Sequence, residues 1–416
     1  MHRKALAAVT AASFLALAAC SSETSGGGGS AGTTTISYAF WGTTDEAATM
    51  KAMIAAFEKA NPTIKVEPNW IQSDYEQKLQ TSIAGGDAPT VAEISDTSLP
   101  SFANAFKQVE VDKSVYYSPA VQRAGTFGGA DYAVPFVAKS KVLALGKDAF
   151  DKAGVAVPSG TTPMTTADFV SAAKKLTSGS GAKKVYGSAP LWYDGWLIAE
   201  GGSYYSADGK QCTMGNADGI RAAQTVVNAV KTDGFAPNQA DAQGQDMFQW
   251  LADGKVAMLP DFGPWNIAKI AALDSSKFLI VPLPGKGEPM EVDSLGIAKD
   301  ASEAETAAAK TFTKFMSSSP DAQNLLATTK SALGIPVIEG SLDAFKSIAP
   351  KVNLQAFIDA VKNAVTTPAV KDKVRIESAF SGDLNSRTAI GSGTEDPAVV
   401  LPQLQAECQK LLDAAQ

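Results

Sequence analysis

The sequence predicts an α/β fold divided into two lobes, on three observations. Residues 34–416 are too many for one compact core, so two lobes are the expectation. Strand-like and helix-like patterns alternate from residue 34 to about residue 106, as they do in an α/β lobe. Ala133 to Leu145 then reads as one long extended segment, suited to crossing from one lobe to the other.

Residues 34–41 alternate, with Ile36, Tyr38 and Phe40 on one face, and read as a strand. A helix follows from about Asp45, where Met50, Met53, Ile54 and Phe57 keep helical spacing, and Asn61-Pro62 ends it. Ile64 to Trp70 is a second strand. Asp74 with Gln77 predicts a capping box, and Tyr75, Leu79 and Ile83 line that helix until Gly85-Gly86. Val91 to Ser95 is a third strand, before a helix carrying Leu99, Phe102 and Phe106. This alternation predicts a largely parallel sheet. Further on, Thr166 is expected to cap a helix through Leu176, and Ala217 to Val230 reads as another. Val256 to Leu259 reads as a buried strand running into Gly263-Pro264-Trp265, with Pro at a first helical position. Phe278 to Leu283 and Leu295 to Lys299 read as strands and Ala301 to Met316 as a helix. From Ala322 the pattern is mostly helical, with Pro402 early in the last helix.

The N-terminus reads as an export signal. His2, Arg3 and Lys4 precede an apolar stretch, Ala5 to Ala18, too short to span a bilayer. The run ends Leu17-Ala18-Ala19-Cys20, which resembles a bacterial lipobox, so residues 1–19 would be removed and Cys20 acylated. An ordinary signal or an uncleaved anchor are the competing readings; small residues meeting Cys and then a polar linker favour the lipoprotein. Residues 20–33 are Gly- and Ser-rich, a flexible tether of roughly 20 Å.

The formal charge is −7, or −9 without Arg3 and Lys4, and basic clusters are absent, which argues against nucleic acid as a partner. The one histidine is His2, inside the signal. Ser-His-Asp and Cys-His catalysis are therefore excluded from the mature chain, along with the commonest transition-metal ligand, so no metal or cofactor is expected. Hydrolysis by paired carboxylates stays open on composition. With Cys20 acylated, Cys212 and Cys408 remain as an even pair: a disulfide in an oxidising compartment, or two buried thiols.

Several stretches, in order, carry a family resemblance. They are Ala39-Phe40-Trp41 before a long helix closed by Asn61-Pro62, then Gly85-Gly86-Asp87-Ala88-Pro89-Thr90-Val91, then Tyr132-Ala133-Val134-Pro135. Asp148 to Gly154 leads to Thr165-Thr166-Ala167-Asp168-Phe169. Gly254 to Met258, Gly263-Pro264-Trp265 and Gly334-Ile335-Pro336-Val337 complete the set. Together they resemble the sugar class of extracellular solute-binding proteins of ABC importers, the maltose-binding-protein-like group. Thr90 where the family usually has Asp, and Leu145-Gly146-Lys147 where it often has Tyr-Asn-Lys, are departures. The resemblance implies a two-lobed periplasmic-binding-protein-like fold with a ligand cleft between lobes and a hinge of crossing segments. Lobe one would comprise residues 34–137 and 289–317, lobe two 138–288 and 318–416. It also implies a monomer without enzymatic activity that hands a sugar to a membrane permease. A polyol, a glycerol phosphate or a peptide on the same fold, or a lipid-anchored glycoside hydrolase using Asp96 and Asp261, are the rivals.

A sugar presents hydroxyls to polar side chains and C–H faces to aromatic planes, so its site combines both. Trp265 falls where the family places a stacking aromatic, with Asp261 in the same turn. Trp41 ends the first strand, where α/β folds present ligands, and Asp45 follows it at what reads as an open helix N-terminus. Trp192, Tyr193 and Trp196 form a dense aromatic loop, of which at least one should face the cleft. Ser95 and Asp96 end the third strand, Asp96 with helix capping as its alternative role. Trp70 and Tyr75 flank a strand-to-helix turn. Lys139 lies in the crossing segment, and Asp293 and Ser294 precede the strand of the return crossing. For Trp265 and Trp41 the alternative is plain core packing.

Overall fold

The computed structural model of the protein describes residues 32–416 apart from 288, 329–332, 366, 369 and 416. The expected signal, Cys20 and the tether to residue 31 lie outside the described residues. Strands are β1 Thr34–Trp41, β2 Ile64–Ile71, β3 Val91–Ser95, β4 Thr126–Phe127, β5 Ala130–Asp131, β6 Ala133–Ser140 and β7 Val142–Gly146, then β8 Met258–Phe262, β9 Phe278–Val281, β10 Met290–Ile297 and β11 Ile335–Pro336.

One sheet has six strands in the order β11-β6-β10-β3-β1-β2, and a second has three in the order β8-β7-β9. Lys141 alone separates β6, in the large sheet, from β7, in the small one, so the chain changes lobe at that residue. It returns between β9 and β10. The large sheet is mixed rather than largely parallel. β1 runs parallel to β2 and β3, but β10 is antiparallel to β3 and β6, and β11 to β6. Helical crossovers within a lobe bring strands in from the same end, whereas β10 arrives from the other lobe and enters from the opposite end.

Local signals explain most element boundaries, with six corrections. Thr43 and Glu46 form a complete capping box on helix Thr44–Ala60, so this terminus is closed rather than open. Asp74 makes no side-chain cap; its backbone is left-handed at φ 54° before helix Tyr75–Gly85. Thr165, not Thr166, caps helix Thr166–Leu176. The strand expected at 256–259 lies at Met258–Phe262, and the return strand begins at Met290 rather than Leu295. The helix expected to carry Leu99 to Phe106 is one turn, Leu99–Phe102, followed by a 3-10 turn.

Lobe one buries apolar residues on both faces of the large sheet: Tyr38, Phe40, Phe57 and Phe312 on one, Tyr75, Leu79 and Phe102 on the other. Ala322 and Leu326 of helix Pro320–Thr328 belong to the first of these cores. That helix, expected in lobe two, covers apolar surface of lobe one. Lobe two has its own core around Phe169, Trp196, Met214 and Leu404. A further cluster is shared, with Ala138 of β6, Val142 of β7, Phe262 of β8, Phe345 and Phe357 packed together at the crossing. Cys212 and Cys408 are bonded, with Cα atoms 6.1 Å apart, tying a lobe-two loop to the last helix, Pro397–Ala415. Among the described residues no helix is long and apolar enough to cross a membrane.

Candidate ligand-binding site

On lobe one the site is assembled at the ends of adjacent strands. The Trp41 ring, closing β1, lies 4.8 Å from that of Tyr75, and Lys139 of β6 holds its ammonium 5.1 Å from the Trp41 ring centre. Lys139 Nζ is 2.5 Å from Asp293 Oδ2, which β10 delivers fully buried from the return crossing. Glu93 of β3 is buried nearby, where the Tyr38 hydroxyl donates to its Oε2 at 3.3 Å. Burial, reinforced by the Asp293 charge, pushes the Glu93 carboxyl well above the usual carboxylate range. Burial opposes the charge on Lys139, but Asp293, Glu93 and Glu291 outweigh it and hold the ammonium above its ordinary range. The cluster thus sets the Lys139–Asp293 ion pair beside Glu93, whose neutral form burial favours.

Asp96 stands half-buried just beyond β3 and accepts the Val292 N–H at 3.2 Å. Burial raises its carboxyl to about 6, against the lowering pull of that amide and of Lys373. It caps no helix; helix Leu99–Phe102 starts at Ser98 without a side-chain cap. Ser95 is buried, its hydroxyl shared with Thr97 and Ser98. Ser294 is buried with no hydrogen-bond partner for its hydroxyl.

On lobe two the site is a groove of about 900 Å³ lined by Trp192, Trp265 and Asp261. Asp261 sits on β8 and the turn Gly263-Pro264-Trp265 follows. A Cβ on Gly263 would come within 2.2 Å of the Trp265 ring, so this ring can fold back over position 263 only because glycine stands there. Trp265 remains 37% exposed and Trp192 51%, while Lys141 Nζ pairs with Asp261 Oδ1 at 2.5 Å. Such exposure is unusual for large aromatics that touch a groove, and it leaves ring faces free for a partner. Trp192 and Asp261 also border a second recess, of about 390 Å³.

The other candidates are placed differently. Tyr193 is core, its hydroxyl donating to the Met214 carbonyl at 3.0 Å, and buried Trp196 packs 5.1 Å from Phe169. Trp192 is the N-cap of helix Tyr193–Ala199, with extended backbone, so its side chain does not follow the helical face that Tyr193 and Trp196 bury. Buried Tyr75 donates to the carbonyls of Ala39 and Glu93, so it supports Trp41 from behind and has no free hydroxyl for a solute. Trp70 anchors its indole N–H on the Gly42 carbonyl, over the lobe-one core, and Asp45 stays exposed in a helical first turn.

Sequence reasoning missed Glu93, Glu291, Lys373 and Glu377. Lys373 is buried at the start of helix Lys373–Arg387 on lobe two, donates to Thr367 Oγ1 at 3.2 Å and lies 3.9 Å from Glu377. Its charge is felt by Asp96 of lobe one, so the two lobes communicate electrostatically here. Burial pushes Glu377 up to about 7 and Glu291 up to about 8, the latter with Asp293 adding to the effect. Glu93 had a readable signal, a lone carboxylate in the apolar run Val-Ala-Glu-Ile-Ser. Lys373 and Glu377 had none, since an i,i+4 charge pair normally reads as a solvated helix face. Asp96 and Asp261, the pair that hydrolysis would need, belong to different lobes.

The geometry can be set beside known proteins. The diacetylchitobiose-binding protein DasA of Streptomyces coelicolor is 24% identical over 358 residues, 81% of this chain and 80% of its own. An uncharacterized lipoprotein from the oleD 5' region of Streptomyces antibioticus is 28% identical over 235 residues, 52% of this chain and 51% of its own. The solved ABC substrate-binding protein Lmo0181 of Listeria monocytogenes, in complex with cycloalternan, has a TM-score of 0.79 at 26% identity, covering 92% of this chain and 99% of that one. The two-lobed α/β fold expected from the sequence is the fold they share. The family model for bacterial extracellular solute-binding proteins matches residues 41–323, and the chain belongs to that family of extracytoplasmic binding proteins, which are not enzymes.

Proposed function

We propose that this protein captures a sugar, a di- or oligosaccharide, as the substrate-binding component of an ABC importer, while tethered to the membrane through acylated Cys20. The observation that carries this reading is the pair of half-exposed indoles, Trp192 and Trp265, set around the Asp261 carboxylate in one groove. That arrangement offers C–H stacking surface and hydroxyl-bonding groups together. DasA and Lmo0181 are named for, or solved with, saccharides, which supports the same class. The lipoprotein named among the relatives supports the anchor.

A phosphate-bearing solute is less well served. Lys139 pairs with Asp293, Lys141 with Asp261, Lys269 with Asp246, and Lys373 with Thr367 and Glu377, so each cation near the site already has a partner. Capture would proceed by closure of the lobes as a monomer. Moving such an equilibrium from 1:99 to 99:1 takes roughly 5.5 kcal/mol of differential binding, which contacts on both lobes can supply. A thermal-shift screen of residues 34–416 against saccharides, polyols and glycerol phosphates tests the class. At a hundred-fold excess over Kd a true ligand stabilises by about 2.7 kcal/mol. A selective saccharide hit that is lost in Trp265→Ala is the expected result; a response to phosphates alone would overturn the sugar.

A further inference from the structure

The two hollows that meet at Trp192 and Asp261 differ in chemistry. The larger groove is walled by hydrogen-bonding side chains, among them Gln239, Gln245, Asn385 and Ser386, as hydroxyl-rich rings require. The 390 Å³ recess is walled by Leu191, Trp196, Ile198, Pro260, Leu283 and Pro284. Of its polar neighbours, Lys141 pairs with Asp261 and Asp194 accepts a hydrogen bond from the Tyr204 hydroxyl, which leaves the buried Trp196 indole N–H as a donor without a partner. A sugar ring placed there would lose hydrogen bonds to water and regain few, at about 1–3 kcal/mol for each buried group left unpaired. An apolar group would lose nothing and would shed water from its own surface. The floor of the recess is rigid, since Trp196 and Leu283 belong to the buried core of lobe two. It adjoins the groove, because Trp192 and Asp261 line both.

Building on the sugar-binding reading, we infer that the preferred solute is a glycoside or acylated sugar, with its polyhydroxyl part in the groove and one apolar substituent, aryl or acyl, seated in the recess past Trp192. Gly195 gives a clean way to test it. It borders the recess in helix Tyr193–Ala199, and a Cβ there would meet nothing within 4 Å, so a larger side chain adds bulk at the recess wall without disturbing the fold. Leucine also suits a helix better than glycine does.

The experiment is isothermal titration of the whole mature chain and its Gly195→Leu variant with maltose, cellobiose and chitobiose, each free and as its p-nitrophenyl glycoside. In the wild type at least one p-nitrophenyl glycoside should bind about tenfold tighter than its parent sugar, as burial of one aromatic substituent implies. Gly195→Leu should erase that advantage while leaving the parent sugar's affinity within about twofold. Equal affinities for parent and glycoside in the wild type, or an advantage that survives Gly195→Leu, would overturn the inference and leave sugar binding intact. Silence toward every saccharide and glycoside would overturn the sugar-binding reading, and the inference with it.

Discussion

On lobe one the charged groups around Trp41 are buried against one another, whereas on lobe two the indoles of Trp192 and Trp265 stand partly in solvent. Lys139, Asp293, Glu93 and Tyr38 form a closed set beneath the lobe-one surface, with Tyr75 bracing Trp41 from behind. Lobe two has the Lys141–Asp261 pair at its edge, 42% and 36% exposed, and two hollows either side of Trp192. The same ingredients, lysine, carboxylate and tryptophan, therefore do different work. Burial turns the first set into a fixed wall whose integrity belongs to the fold. Exposure leaves the second set as surface that a solute can cover, so its energy appears in binding.

The largest effect should come from the buried pair. Lys139→Met leaves Asp293 without a counter-charge and should destabilise by about 3–5 kcal/mol. Lys141→Gln, in the exposed pair, should change stability by no more than about 1 kcal/mol. Urea unfolding of both variants at pH 7 measures the difference, and equal losses would break the comparison.

Opening the lobe-two staple comes next. Cys212→Ser combined with Cys408→Ser releases a link spanning 196 residues and should lower stability by about 2–4 kcal/mol in the same assay. A change near zero would mean that the last helix holds to lobe two through packing alone.

The tryptophans sharpen the contrast in binding. Trp192→Ala and Trp265→Ala should each weaken the best saccharide by at least about tenfold while shifting unfolding by roughly 0.5 kcal/mol or less. Trp41→Ala, packed between Tyr75 and Lys139, should lose stability as well as affinity. Calorimetric Kd values set beside thermal melts separate the two behaviours.

A further effect is on pH. Burial first, in each case, raises Asp96 to about 6, Glu377 to about 7 and Glu291 to about 8. Unfolded, these carboxyls titrate near 4. Between those limits the folded state binds more protons than the unfolded one, so stability falls as pH rises from about 5 to 8. Melting temperatures of the ligand-free protein across that range check the sign; a rising profile would show that these groups are not buried as described.

Period-two and helical spacing placed β1, β2, β3 and helices Thr44–Ala60, Tyr75–Gly85, Thr166–Leu176, Ala217–Lys231 and Glu303–Ser318 within a residue or two, because each pattern reflects a face buried locally. Where partners came from elsewhere, those patterns were mute. The direction of β10 depends on the chain returning from lobe two, and the allegiance of helix Pro320–Thr328 depends on apolar surface that Ile36, Phe40 and Phe312 left uncovered. For the candidate site, strand ends and the Gly-Pro-Trp turn nominated Trp41, Asp96, Asp261 and Trp265. Choosing Trp192 over Tyr193 and Trp196 in one aromatic loop required knowing which side of a short helix met the core.

By itself, then, the sequence determined that histidine occurs once, at His2, and the succession of local elements, since these depend on composition or on near neighbours. Tertiary structure alone decided that Lys139 meets Asp293 across two crossing strands. It also decided that Lys373 acts on Asp96 from the other lobe, and that Trp192 parts a polar groove from an apolar recess. Each of those joins residues far apart in the chain, and burial and electrostatic fields are set by what surrounds a residue in space.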